Sequence, residues 1–214
     1  MIYKKEDPKK IWKKIWPVLN KKYTRTETFL NYRTPFELLI AVILSAQTTD
    51  EGVNKVTPGI WKTFPKPQDL AGADIRKIVP IIKSIGYYNS KAKYIKETAR
   101  QIVLRYNGIV PDDEKELQTL PGVGRKTAVA VISNAFNTNI GIPVDTPVIR
   151  FVQRFNLSSS KNPDRIEQDL LKIIPRKNWK RAGYAIKEYG RKEGKARGYI
   201  RDEDPIYRRL SIKK

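Results

Sequence analysis

The chain has no cysteine and no histidine. The first absence excludes disulfides, thiol nucleophiles and any cysteine-ligated zinc or iron–sulfur centre. The second removes the side chain most used for proton transfer near neutral pH. Any general acid, base or nucleophile must then be Asp, Glu, Lys, Tyr, Ser or Thr. No metal-ligating set is expected. No apolar run approaches the ~18 residues of a membrane span, and MIYKKEDPKK at the N-terminus has no apolar segment of the signal-peptide kind. A cytoplasmic protein without a membrane association is the expectation. Acidic residues are scarce beside basic ones: 43 Lys and Arg against 22 Asp and Glu give a formal charge of +21. A chain this basic repels itself unless a polyanion compensates. Nucleic acid is the default partner, because each phosphate neutralised releases counterions. An anionic membrane surface competes poorly, since the basic residues are spread along the chain rather than gathered on one amphipathic helix.

What is present is helical periodicity. Ile11, Trp12, Ile15, Trp16 and Leu19 form one stripe, and Val53, Val56, Ile60 and Trp61 another. A third stripe, Ile95, Ala99, Ile102, Val103 and Tyr106, is stopped by Asn107-Gly108. FELLIAVILSAQ (Phe36 to Gln47) is apolar nearly all round and predicts a buried central helix. Thr34-Pro35, Thr146-Pro147 and Asn162-Pro163 each read as a cap followed by proline at the first helical position. Pro65, Pro111, Pro121, Pro143 and Pro175 punctuate loops. The expectation is an all-α protein of about ten short helices.

LPGVGRKTA (Leu120 to Ala128) is the most informative segment. A helix ends near Leu120, Pro121 turns the chain, and a new helix starts near Gly124. Gly122 and Gly124 permit unusual dihedrals and a close approach to a ligand. Val123 between them is placed to plug into the core. Amides at a helix start carry partial positive charge, so the turn is suited to a phosphate, and Arg125-Lys126 follows directly. A plain helical hairpin is the alternative.

LPGVGRKTA resembles the helix–hairpin–helix of the DNA glycosylases related to endonuclease III. IPVDTPVIR (Ile142 to Arg150) resembles that superfamily's Gly/Pro-rich loop and the Asp after it. SAQTTD (Ser45 to Asp50) and IGYYNSKA (Ile85 to Ala92) are similar to two further segments, in the same order, over roughly Phe36 to Leu210. The resemblance implies two helical lobes with a DNA-binding cleft. One lobe is a central bundle over 28–139; the other combines 1–27 with 140–214 and carries the catalytic Asp.

The resemblance implies that Lys126 is a nucleophile, attacking C1′ of a damaged nucleotide and forming a Schiff base that permits β-elimination. Only the neutral amine attacks; the helix start, the adjoining Arg125 and burial against a flipped base would each favour it. Asp145 is implied as the ionised carboxylate that stabilises the developing cationic sugar; a helix cap is its plainer role. The two lie 145 − 126 = 19 residues apart, one more than is usual in the family, and Asn137-Thr138-Asn139 is the turn expected to absorb the extra residue.

A base inside a duplex must be flipped out and its gap filled. The resemblance implies that Gln47 fills the gap and that Tyr87 wedges between opposite-strand bases. Leu120, Gly122, Val123, Gly124 and Arg125 are implied in DNA contact, as are Lys195 and Arg197 of the C-terminal loop. Most close relatives hold a 4Fe–4S cluster on four cysteines there. Projecting their spacing lands on Gly194, Arg201, Asp204 and Leu210, so no cluster is expected. Docking of Tyr199, Ile200, Ile206, Tyr207 and Leu210 is expected to order this segment instead, with Arg201, Arg208 and Arg209 available to pair with Asp202, Glu203 and Asp204. A monovalent cation at the hairpin carbonyls is left open.

Together these readings give a monomeric DNA glycosylase with abasic-site lyase activity, acting on double-stranded DNA with a damaged base, expected to be an oxidised pyrimidine. Pro147 stands where close relatives often have histidine, which keeps a mismatch- or uracil-directed glycosylase as the alternative. A non-catalytic DNA-binding module is the alternative from another class.

Overall fold

The computed structural model describes residues 6–195 and 197–211. Among these residues all regular structure is helical: α1 (Pro8–Lys22), α2 (Pro35–Leu44), α3 (Asp50–Thr63), α4 (Pro67–Ala71), α5 (Ile75–Ile82), α6 (Tyr88–Tyr106), α7 (Glu114–Gln118), α8 (Arg125–Ala135), α9 (Thr146–Arg154), α10 (Pro163–Ile173), α11 (Trp179–Lys192) and α12 (Pro205–Ser211). Short 3-10 turns precede α11 and α12. No described helix is long and apolar enough to cross a membrane. The chain divides into two compact units: Thr28–Thr138, and the terminal segments Met1–Glu27 with Asn139–Lys214.

In the unit Thr28–Thr138, α2 is buried on nearly every side, from Phe36 to Ala41 and again at Ile43 and Leu44. It packs against α3, α6 and α8, which explains why its sequence carries almost no polar face. Thr34 caps it by accepting from the Glu37 amide at 3.1 Å, with Pro35 at the first helical position. The helix is shorter than its apolar run predicts. It stops at Leu44, and Ala46 and Thr48 donate to the carbonyls of Ile43 and Ser45 in tight turns before Thr49 caps α3. Gln47 therefore lies beyond the helix rather than at its end. α6 ends as its sequence predicts, with Asn107 and Gly108 both at positive φ.

In the other unit, α1 packs on α10, α11 and α12, and α9 on α10 and α11. Its core gathers Ile11, Ile15 and Leu19 with Phe151, Phe155, Ile166, Leu170, Ile186 and Tyr189. Tyr189 meets Tyr23 and Phe151 edge-on, with ring centres 5.7 and 5.2 Å away. The predicted cap at Thr146 is corrected by one residue: Asp145 is the cap, with Thr146 and Pro147 inside the first turn.

Candidate active site and nucleic-acid interface

The hairpin Leu120–Gly124 joins α7 to α8. Leu120 and Val123 are buried, and the Val123 amide donates to the Leu120 carbonyl at 3.1 Å. These two side chains anchor the turn, so contact with a ligand from them is limited to the backbone. Gly122 has φ +75°, and a Cβ there would crowd Ile43 and the Tyr94 ring, each at 3.3 Å. Thr98 of α6, fully buried, donates to the Pro121 carbonyl at 2.9 Å. α2 and α6 thus fix the turn from two sides. Gly124 corrects the sequence reading: its φ of −92° is open to any residue. A Cβ there would meet nothing within 4 Å, so its glycine leaves open space at the start of α8. No side chain caps α8, which leaves the first-turn amides of an eleven-residue helix available to an anion.

Arg125 is half-buried within the hairpin. Its guanidinium pairs with Glu114 of α7, tying the two helices of the hairpin together. Lys126, one residue further into the first turn of α8, is exposed. The amine is on the surface beside the anion-suited helix start.

Gln47 and Tyr87 form a second feature of the same unit. Five non-glycine residues have positive φ among those described, and three are asparagines, which tolerate it. The other two are Gln47 (φ 52°) and Tyr87 (φ 57°), held in a conformation that costs on the order of 1–3 kcal/mol. Both side chains are exposed, Tyr87 by 67%. The two corners adjoin: a Cβ on Gly86 would lie 3.8 Å from the Gln47 carbonyl oxygen. An exposed tyrosine and glutamine on neighbouring strained corners is an arrangement that core packing does not require.

Asp145 belongs to the other unit. Its Oδ1 accepts from the Val148 amide at 3.1 Å, and its φ of −115° and ψ of 178° are extended. The capping role is therefore real, and it engages one carboxylate oxygen. The loop before it is held from below: buried Glu167 of α10 accepts from the Ile142 amide at 3.1 Å. α9 lies close on α11, where a Cβ on Gly190 would sit 2.8 Å from the Pro147 Cβ. Asn137, at φ 53°, makes the turn after α8 where the extra residue was expected.

The sequence and the fold of the chain match those of known proteins. Residues 40–176 match the model of the HhH-GPD superfamily base excision DNA repair proteins. The chain belongs to that superfamily, on its endonuclease III branch. Endonuclease III of Synechocystis is 45% identical over 174 residues, which cover 81% of this chain and 80% of that one. Among solved structures, a non-covalent endonuclease III–DNA complex matches with a TM-score of 0.89 at 36% identity, over 94% of each chain. A trapped endonuclease III–DNA covalent intermediate matches with a TM-score of 0.88 at 37% identity, over 92% of this chain and 93% of that one.

The positions onto which the cluster spacing projects do not fit a cluster. A Cβ on Gly194 would lie 2.5 Å from the ring of Tyr189. Leu210 is buried in the apolar core. Asp204, 1% exposed, has both oxygens engaged by protein. Its Oδ2 accepts the hydroxyls of Tyr189 and, at 2.7 Å, Tyr199, and its Oδ1 accepts the Ile206 amide at 2.8 Å. Arg154 of α9 donates to the Tyr189 hydroxyl at 2.7 Å and lies 3.5 Å from the Tyr199 ring centre. The Tyr207 hydroxyl donates to the Arg154 carbonyl at 3.1 Å. The expected docking holds for Tyr199, Ile206, Tyr207 and Leu210 but not for Ile200, which is 55% exposed. The expected arginine pairs are also corrected: Asp204 serves tyrosines, Arg208 donates to the Asp202 carbonyl at 2.7 Å, and Arg201 lies over the Tyr207 ring. Lys195 and Arg197 are exposed on the loop before this network.

Sequence reasoning missed the Asp204 network, Glu167 and Lys91, a lysine that is 3% exposed on the buried face of α6. A signal for Lys91 existed: it stands four residues before Ile95, in line with the apolar stripe of that helix.

Proposed function

We propose that the chain is a DNA glycosylase and abasic-site lyase of base excision repair, acting as a cytoplasmic, nucleoid-associated monomer on double-stranded DNA that carries an oxidised pyrimidine. The observation that carries the reading is the exposed Lys126 in the first turn of α8, directly beyond an uncapped, phosphate-suited helix start.

The chemistry needs few parts. The neutral Lys126 amine attacks C1′ of the flipped nucleotide; the N–C1′ bond forms as the glycosidic bond breaks, and the base leaves with a proton. Asp145, with one oxygen in the cap and the other uncommitted there, stabilises positive charge on the sugar and carries the proton that the amine releases. Ring opening gives an imine. Loss of a C2′ proton then expels the 3′ phosphate, and water hydrolyses the imine to restore the amine. Gln47 pairs with the orphaned base and Tyr87 stacks beside it, a contact worth ~1–3 kcal/mol. The α8 amides at Gly124 and beyond hold a phosphate, and Lys195 and Arg197 add contacts to the backbone.

The test is a panel of duplexes, each with one lesion: thymine glycol, dihydrouracil, uracil, 8-oxoguanine or an abasic site, scored with and without borohydride. Oxidised pyrimidines should be excised and trapped, and Lys126→Ala should abolish trapping. Trapping that survives this substitution assigns the nucleophile to another amine. Excision of uracil alone assigns the enzyme to deaminated bases.

A further inference from the structure

Lys91 is a buried cation with no counter-charge among the described residues. Its Nζ donates to Thr48 Oγ1 at 2.6 Å, and among the described residues it makes no ion pair. Burial pushes its ammonium below the usual lysine range. A lone buried ammonium destabilises a fold, and an apolar side chain of the same length would pack the site without that penalty. Its position suggests what it does in return. Thr48 directly follows Gln47, the first of the two strained, exposed corners. The Lys91 backbone amide donates to the carbonyl of Tyr87, the second corner, at 3.0 Å. One residue therefore grips both corners, one through its side chain and the other through its main chain. The contact between Gly86 and the Gln47 carbonyl brings the same two corners together.

We propose that Lys91 is a positioning residue that locks the Gln47 corner onto the Tyr87 corner, so that the two side chains enter the duplex as one rigid unit. This rests on the reading above that Gln47 and Tyr87 fill the gap left by a flipped nucleotide. Lys91 touches no substrate. Its ammonium holds the Thr48 hydroxyl, and the backbone on either side of Thr48 keeps Gln47 left-handed.

The test uses Lys91→Met, which keeps length and removes charge and donor, and Thr48→Val, which removes the same bond from its other end. Binding is measured to two duplexes carrying a non-cleavable abasic analogue, one with a base opposite and one with a second abasic analogue opposite. Lys91→Met should melt no lower than the parent. It should lose about tenfold in affinity for the first duplex, the scale of one hydrogen bond to a charged group, and less than about twofold for the second. Thr48→Val should copy it, including in the event that Lys91→Met fails to fold. Combined with Gln47→Ala, neither should add a further loss. Equal losses on both duplexes, or losses that multiply with Gln47→Ala, overturn the coupling while leaving insertion intact. A Gln47→Ala protein with full affinity for the first duplex overturns insertion itself.

Discussion

Tyr199 donates its hydroxyl to the buried carboxylate of Asp204 at 2.7 Å. Through that bond, the loop carrying Lys195 and Arg197 is fastened to the start of α12, and through Tyr189 and Arg154 to α11 and α9. Side chains thus hold the described part of this loop in place.

Asp204→Ala should destabilise the protein by about 3–5 kcal/mol, because it strands the buried Tyr189 hydroxyl, the half-buried Tyr199 hydroxyl and the Arg154 they engage. Asp204→Asn should cost less, since its amide oxygen still accepts. Thermal unfolding checks both. Chelators and reductants, which attack a cluster, should leave the unfolding midpoint and the DNA affinity of the parent protein unchanged.

The same network predicts an alkaline limit. Burial, then the Asp204 carboxylate, pushes the Tyr189 and Tyr199 phenols above their usual range. A group with a raised folded-state pKa contributes stability that is fully present below its unfolded pKa, about 10 for tyrosine, and lost as pH rises beyond it. Above about pH 10 the unfolded chain releases protons that the folded one keeps, so stability falls, by at most about 1.4 kcal/mol per pH unit for each tyrosine. Unfolding midpoints measured from pH 8 to 11 should drop, and Tyr189→Phe and Tyr199→Phe should each flatten the drop. A profile unchanged by either substitution places the limit elsewhere.

Helix positions were legible in the sequence because stripes such as Ile95, Ala99 and Ile102 do become buried faces, and because caps such as Thr34 and Asn162 announce their helices. The hairpin was legible because Gly122 must turn with positive φ where Val123 must be buried. Three things were hidden. Prolines at 17, 58 and 80 lie inside helices, where tertiary packing outweighs the lost amide bond. The strain at Gln47 and Tyr87 has no residue-type signal, since neither glutamine nor tyrosine favours a left-handed backbone. The partners of Asp204 come from α11, the loop after it and α12, and Arg154 of α9 joins through the two tyrosines, a convergence that no local spacing encodes.

Gly122→Ala should be costly although it adds one methyl group. The backbone is at φ +75°, and the new carbon would press on Ile43 and Tyr94 at 3.3 Å. A loss of about 1–3 kcal/mol is expected from strain and crowding together. Because the turn aims the α8 amides, DNA affinity should fall as well. Gly124→Ala, with open space and an ordinary φ, should leave stability within about 0.5 kcal/mol of the parent while obstructing close approach of a phosphate. A Gly124→Ala protein with full DNA affinity would remove the hairpin from the interface.

Asp145 separates capping from catalysis, because the two roles require different properties of one side chain. The cap needs an oxygen that accepts from the Val148 amide, now at 3.1 Å, and an asparagine supplies one almost as well. Charge stabilisation at the sugar needs an ionised carboxylate, which asparagine lacks. Asp145→Asn should therefore keep the unfolding midpoint and DNA affinity while slowing base excision by about 100-fold or more. Asp145→Ala should slow it equally and also lose about 1 kcal/mol of stability with the cap. Single-turnover excision rates, read beside thermal unfolding, give both quantities. Full turnover in Asp145→Asn would leave Asp145 as the cap of α9 alone and require another group to balance the charge that develops in the proposed attack by Lys126.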